Sequence, residues 1–181
     1  MGAKTARGRI EGDRIDGSGS SPQSHIMTGQ SAGILIYRHS GGALQVLLVH
    51  PGGPFWRRRD RGAWQIPKGL IAPGESAEDA AHREAQEELG VALEGPLAAL
   101  GRLRQAGGKM VEAFALEQDI EAAAIVSNRF ELEWPPKSGR RQSFPEADAA
   151  RWFTMAQADA MMLPSQRPVI DRLSELLARR N

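Results

Sequence analysis

Gly69-Leu-Ile-Ala-Pro-Gly-Glu75-Ser-Ala-Glu-Asp-Ala-Ala-His-Arg83-Glu84-Ala-Gln-Glu87-Glu88-Leu-Gly90-Val91 is the most informative stretch of this chain. Ser76 reads as a helix N-cap, with Asp79 three residues later as an acidic variant of the capping box. Good helix formers then run to Leu89, and Gly90 supplies the C-terminal stop. At about 100° per residue, Glu84, Glu87 and Glu88 fall within an arc of roughly 100°. Ala77, Ala80 and Ala81 share that sector one turn earlier, Ala85 and Leu89 border it, and Asp79, His82 and Gln86 form the polar back. The acids therefore flank the buried stripe. Carboxylates at i, i+3 and i+4 repel one another, and partial burial worsens the repulsion unless a cation sits between them. All-oxygen ligation without Cys or His suits Mg²⁺ or Mn²⁺ rather than zinc. The competing reading is a solvated acidic helix.

The spacing G-x5-E-x7-R-E-U-x-E-E-x-G-U, with U apolar, resembles the signature box of the Nudix (MutT-like) hydrolases, and every position is filled. The resemblance implies an α/β/α sandwich with a mixed sheet and a loop-helix-loop catalytic motif. It also implies divalent-cation-dependent cleavage of a nucleoside diphosphate linked to another group. By the same resemblance, the Gly69 carbonyl, Glu84, Glu87 and Glu88 are metal ligands, and Glu84 doubles as general base. The base changes position within the family. Glu75 and Arg83 are implied to orient the loop and the acids. Arg83 precedes Glu87 by four residues, a spacing that also favours an ordinary ion pair.

At 181 residues the chain is one domain with modest additions, and 41% apolar content supports an ordinary core. A net charge of +1 and a pI near 8.2 exclude bulk nucleic-acid binding of the strongly basic kind. With no cysteine there is no disulfide, thiolate metal site or Cys nucleophile, which fits a cytoplasmic protein. No apolar run approaches the roughly 20 residues of a membrane span. Residues 1–28 are rich in Gly, Ser and charge and read as a disordered leader or expression tag ahead of a single domain at 29–181.

Short aliphatic runs at Ala32–Arg38 and Leu44–His50 predict two strands around the turn His39–Gly42. Trp64–Ile71 predicts an extended lead into the box. Leu97–Leu103 and Met110–Leu116 predict strands around Ala106–Gly108. Asn128–Trp134 alternates, with Phe130, Leu132 and Trp134 on one face and Glu131 and Glu133 on the other. Ala149–Met155 predicts a last strand, and Pro168–Arg179 an amphipathic helix with Val169, Leu173, Leu176 and Leu177 inward.

Outside the box, Glu131 is the leading candidate for a further metal-binding carboxylate, ahead of Glu133 and Glu146; the alternative is the polar face of an edge strand. The segment from His50 to Trp64 holds Phe55, Trp56, Arg57, Arg58, Arg59 and Arg61. Arginines there suit phosphates and the aromatics suit a stacked base; the alternative is a solvated loop anchored by its aromatics. Lys68 is placed for a phosphate, Arg140 and Arg141 less specifically so, and His50 for a turn.

Trp64-Gln-Ile-Pro-Lys-Gly69 resembles the element before the box in diadenosine polyphosphate hydrolases and their bacterial relatives. A dinucleoside polyphosphate such as diadenosine tetraphosphate is the first-ranked substrate, then a nucleoside triphosphate or damaged dNTP, then NDP-sugars and capped RNA 5′ ends. The Pro or Tyr that often marks that subgroup is missing from Ala106–Gly108. A catalytically silent nucleotide-binding module is the reading from another class. Oligomeric state stays open.

Overall fold

A computed structural model describes residues 29–180; the expected leader at 1–28 lies outside the described residues. The first two aliphatic runs form β1 (Ser31–Ser40) and β2 (Ala43–Pro51), an antiparallel hairpin with Ser40 opposite Ala43. The lead into the box shrinks to β3 (Lys68–Leu70), which pairs antiparallel with the start of β1, Gly69 opposite Ala32. Helix α1 (Ala77–Leu89) follows. Next come β4 (Ala98–Arg104) and β5 (Met110–Glu117), β5 lying parallel to β1 and antiparallel to β4. Strands β6 (Arg129–Glu133) and β7 (Arg141–Pro145) pair only with each other. Then β8 (Ala147–Thr154) closes the main sheet against β2, and α2 (Met155–Met161) and α3 (Pro168–Ala178) end the chain. The sheet order is β4-β5-β1-β2-β8, with β3 beside β1.

Alternation along the strands builds two cores. Leu35, Tyr37, Val46, Leu48 and Phe153 face α2 and α3, where Ala158, Val169, Ile170 and Leu173 are buried. Ile34, Ile36, Leu47 and Phe114 face α1 and its buried Ala80, Ala81, Ala85 and Leu89. Each fully buried Leu or Ile contributes about 1.5–3 kcal/mol relative to exposure. The arrangement is the expected α/β/α sandwich around a mixed sheet. Because α1 packs through alanines, its backbone lies close to β1 and β3, and its acids come to the sheet edge.

Two elements differ from the sequence reading. β7 has little apolar alternation and forms only because β6 folds back to meet it. α2 begins with a Thr154–Gln157 capping box, a local signal hidden behind the apolar run that precedes it. Within the Ala160–Pro164 stretch Met162 is fully buried and the half-buried Met161 packs against the same core. Among the described residues no helix is long and apolar enough to cross a membrane.

Candidate active site

Helix α1 is fixed at both ends by its own sequence. The Ser76 side chain accepts the Asp79 N–H, and Gly90, left-handed at φ 71°, donates its N–H to the Gln86 carbonyl. The Glu87 carbonyl accepts the Asn128 N–H at 2.8 Å and the Leu89 carbonyl accepts the Val126 N–H at 3.1 Å. Those contacts draw the segment leading to β6 against the end of the acidic helix.

Arg83 joins loop to helix. Its Nε and Nη2 donate to the two Glu75 carboxylate oxygens at 2.8 and 2.9 Å, and Nη2 also donates to the Leu70 carbonyl at 2.8 Å. Nη1 donates to Glu84 at 2.7 Å and to Glu87 at 3.3 Å. Glu75 accepts the Ala72 N–H as well. The Arg83 hydrogen bonds, then that N–H, hold the Glu75 carboxyl down to about 2. Hydrogen bonds to Glu75 and then Glu84 raise the Arg83 pKa in turn. Fixed in this way, the guanidinium and Glu75 orient the loop.

Glu84 reaches under β3. A β-carbon at Gly69 would coincide with the Glu84 carboxylate, so this approach exists only because residue 69 has no side chain. The Glu88 carboxyl is pushed up to about 8 by burial, against the pull of the Lys68 charge and of the Lys68 backbone N–H. Burial lowers the Lys68 ammonium, while Glu88 and Glu84 act in the other direction. Lys68 and Glu88 line a cavity of about 240 Å³ together with Trp56 and Glu146.

Glu146 enters from the other side of the fold. Its N–H donates to the Asn128 carbonyl and its carbonyl accepts the Gly52 N–H, at 2.8 and 2.9 Å. A β-carbon on Gly52 would overlap the Pro145 carbonyl, so this close crossing also needs glycine. The buried Oε2 of Glu146 has no hydrogen-bond partner, and burial, then Glu87 and Glu84, raise its pKa. Sequence reasoning ranked Glu131 above it. Glu131 is instead 63% exposed on β6 and pairs with Arg141 at 3.0 Å. Glu133 caps the hairpin turn by accepting the Gly139 N–H. The weak signal for Glu146 was its place beside Pro145, at the start of a strand.

Among the described residues no trio of His, Cys, Asp or Glu stands as a finished metal cage. Glu84 and Glu87 are turned toward Arg83. The donor chemistry nonetheless fits a hard divalent cation: all oxygen, with one orphaned buried carboxylate oxygen and one buried carboxyl whose charge is disfavoured.

The basic loop divides its residues. Trp56 lines the acidic cavity, and Arg59 lies over its ring at 5.5 Å. Arg57 lines a neighbouring cleft, while Arg61 lines a cavity beside β8. Arg58 is exposed, and Phe55, 61% exposed, meets Trp134 edge-on. His50 ties the loop down, its ring nitrogens lying 2.7 Å from Asp148 and 2.6 Å from the Arg59 carbonyl. Arg140 and Arg141 belong to the β6–β7 hairpin and lie outside the acidic cavity.

Burial of Glu88 has a measurable consequence. In the unfolded chain its carboxyl ionises at about 4.3. Between there and about 8 the cation-free native protein holds a proton that the unfolded chain has released. Stability attributable to this group therefore falls as pH rises through that window. The urea midpoint of chelator-treated protein is expected to decline from pH 5 to 8, and Glu88→Gln to flatten the slope. A wild-type slope equal to that of the variant would refute the assignment.

The sequence model of the NUDIX domain matches residues 27–173. An RNA pyrophosphohydrolase of Erythrobacter litoralis (strain HTCC2594) is 32% identical over 77 residues, 42% of this chain and 43% of that protein. A Myxococcus xanthus protein named octanoyltransferase is 31% identical over 130 residues, 71% of this chain and 32% of that protein. The chain thus spans less than half the length of either relative. A C. elegans Ap4A hydrolase structure superposes with a TM-score of 0.58 at 22% identity, over 83% of this chain and 99% of that one. At that identity the likeness is one of fold.

Proposed function

This chain belongs to the Nudix family, and from that premise we propose that it is a divalent-cation-dependent pyrophosphohydrolase acting on a nucleoside diphosphate linked to another group. The observation that carries the reading is the meeting of Glu88, Lys68 and the unpartnered Glu146 around one cavity walled by Trp56, with the Glu84 carboxylate held against Gly69, the residue after Lys68. Glu84, Glu87, Glu88 and the Gly69 carbonyl would hold Mg²⁺ or Mn²⁺, with Glu146 in the place first given to Glu131. A cation there supplies charge neutralisation at phosphoryl oxygens and makes water more acidic.

The chain's own residues do the rest. Lys68 meets a phosphate at the cavity wall. Arg83 and Glu75 keep the loop fixed while Glu84 and Glu87 turn from the guanidinium toward the substrate. Glu84 takes the proton of the attacking water as the phosphoanhydride P–O bond breaks and the leaving phosphate keeps the bond electrons. The names of the E. litoralis and C. elegans proteins both describe a phosphoanhydride next to a nucleoside, which supports this class. A dinucleoside polyphosphate is the first-ranked substrate, because the basic loop offers arginines beyond the acidic cavity for a second anionic half. The expected compartment is the cytoplasm.

The test is a panel of diadenosine and diguanosine polyphosphates, NTPs, NDP-sugars and 5′-triphosphate RNA, followed by product chromatography with and without Mg²⁺. Cation-dependent release from a dinucleoside polyphosphate, at a kcat/KM at least tenfold above that for NTPs, is the expected outcome. Nucleotide binding with no turnover of any compound would return the chain to the silent binding module.

A further inference from the structure

The cleft beside the acidic cavity has a chemistry of its own. It holds about 270 Å³ between the basic loop and the β6–β7 hairpin, and Trp134, Phe144, Arg57, Gln142 and Asp148 line it. The two spaces share a wall where Gly52 crosses Pro145 and Glu146, and neighbours Trp56 and Arg57 face one space each. A nucleotide with phosphates at the acids therefore has its base within reach of the hairpin. Phe55 meets the Trp134 ring at 5.3 Å and 81°, which fixes the indole from one side.

The polar atoms select the base. One N–H of the Gln142 amide donates to the Trp134 carbonyl at 3.0 Å, which leaves the amide oxygen as an acceptor and the second N–H as a donor. One Asp148 oxygen is taken by His50 at 2.7 Å, and no described residue hydrogen-bonds the other, a second acceptor. Two acceptors and one donor suit a base edge that carries two donors and one acceptor, as guanine does with N1–H, its amine and O6. Guanine presents its ring N1–H and exocyclic amine side by side, whereas adenine sets a ring acceptor next to its amine.

Resting on the pyrophosphohydrolase reading, we infer that this cleft seats a guanine base stacked on Trp134 and read by Gln142 and Asp148. The phosphates then run past Arg57 to the acidic cavity. The substrate class narrows to guanine-containing nucleotides, and Trp134, not the exposed Phe55, is the stacking residue.

Calorimetric titration with GMP, AMP and ribose 5-phosphate tests the inference on the full chain. GMP is expected to bind most tightly, by roughly tenfold or more over AMP, in line with one good paired hydrogen-bond contact. Trp134→Ala should weaken GMP about 5- to 150-fold, the range for loss of one base–aromatic stack. Trp134→Phe, which keeps a ring for both Phe55 and the base, should recover most of that loss and also guards against a collapsed hairpin. Gln142→Ala should bring GMP toward AMP. Equal binding of the three ligands, or unchanged GMP affinity in Trp134→Ala, would overturn the inference. Turnover on the substrate panel is read separately. Preferential GMP binding without turnover defeats only the enzymatic reading, and turnover without base preference defeats only this one.

Discussion

Glu84→Gln is expected to lower kcat by about 10²- to 10⁴-fold, the usual contribution of a positioned general base. Gln has nearly the same shape and its carbonyl still accepts from Arg83 Nη1, so the link that Glu84 makes at 2.7 Å survives. What disappears is the charge and the ability to take a proton. Nucleotide affinity should therefore change far less than turnover, and the melting temperature should hold or rise, since one of several crowded carboxylates has been neutralised. The measurement is single-turnover hydrolysis beside calorimetric binding of the product nucleotide. Turnover within tenfold of wild type would sink Glu84 as the base and shift the role to Glu146, whose buried oxygen is unpartnered.

Gly69→Ala is the second large effect, and its cause is steric. The new β-carbon falls on the Glu84 carboxylate, and β3 cannot retreat because Gly69 is paired with Ala32 of β1. Either α1 is pushed off the sheet or Glu84 swings away, and in both cases the acids no longer meet. Overpacking of this kind costs about 1–3 kcal/mol of stability. Activity is expected to fall at least about 100-fold, as for misplacement of a catalytic group by an ångström. Urea unfolding of the single and double variants checks the cause. In a Glu84→Ala background the same substitution should be nearly harmless, giving a coupling of about 0.5–3 kcal/mol. Additive losses would mean that the two residues do not collide.

Much of this site is local and therefore legible in the chain. Ser76 and Gly90 bound α1 by hydrogen bonds made within a few residues, and the placing of Glu84, Glu87 and Glu88 follows from helix geometry alone. The Arg83 contact to Glu87 is an i,i+4 pair. The strand at β6 also showed the expected parity, with Phe130 and Leu132 half-buried and Glu131 and Glu133 exposed. Parity says which face a residue occupies, not what that face meets. Glu131 met Arg141, because β6 found its partner in β7, a strand with almost no apolar signal.

Glu146 shows the opposite case. Its position depends on a register shift between His50 and Pro51, on Gly52 passing against Pro145, and on Asn128 bridging it to the Glu87 carbonyl. Those contacts join segments from four parts of the chain, and none leaves a periodic trace. The pairing of the basic loop with Trp134 is likewise a meeting of distant segments.

By itself, then, the sequence determined the acidic helix, its caps and the spacing that marks the family, because helix geometry and capping are short-range. Only the tertiary structure decided that Gly69 must be bare beneath Glu84, that Glu146 and not Glu131 joins the acids, and that a cleft under Trp134 lies next to them. Each of these rests on close approach between segments far apart in the chain. Such contacts follow from how the whole sheet and its loops pack, and spacing along one strand or helix does not record them.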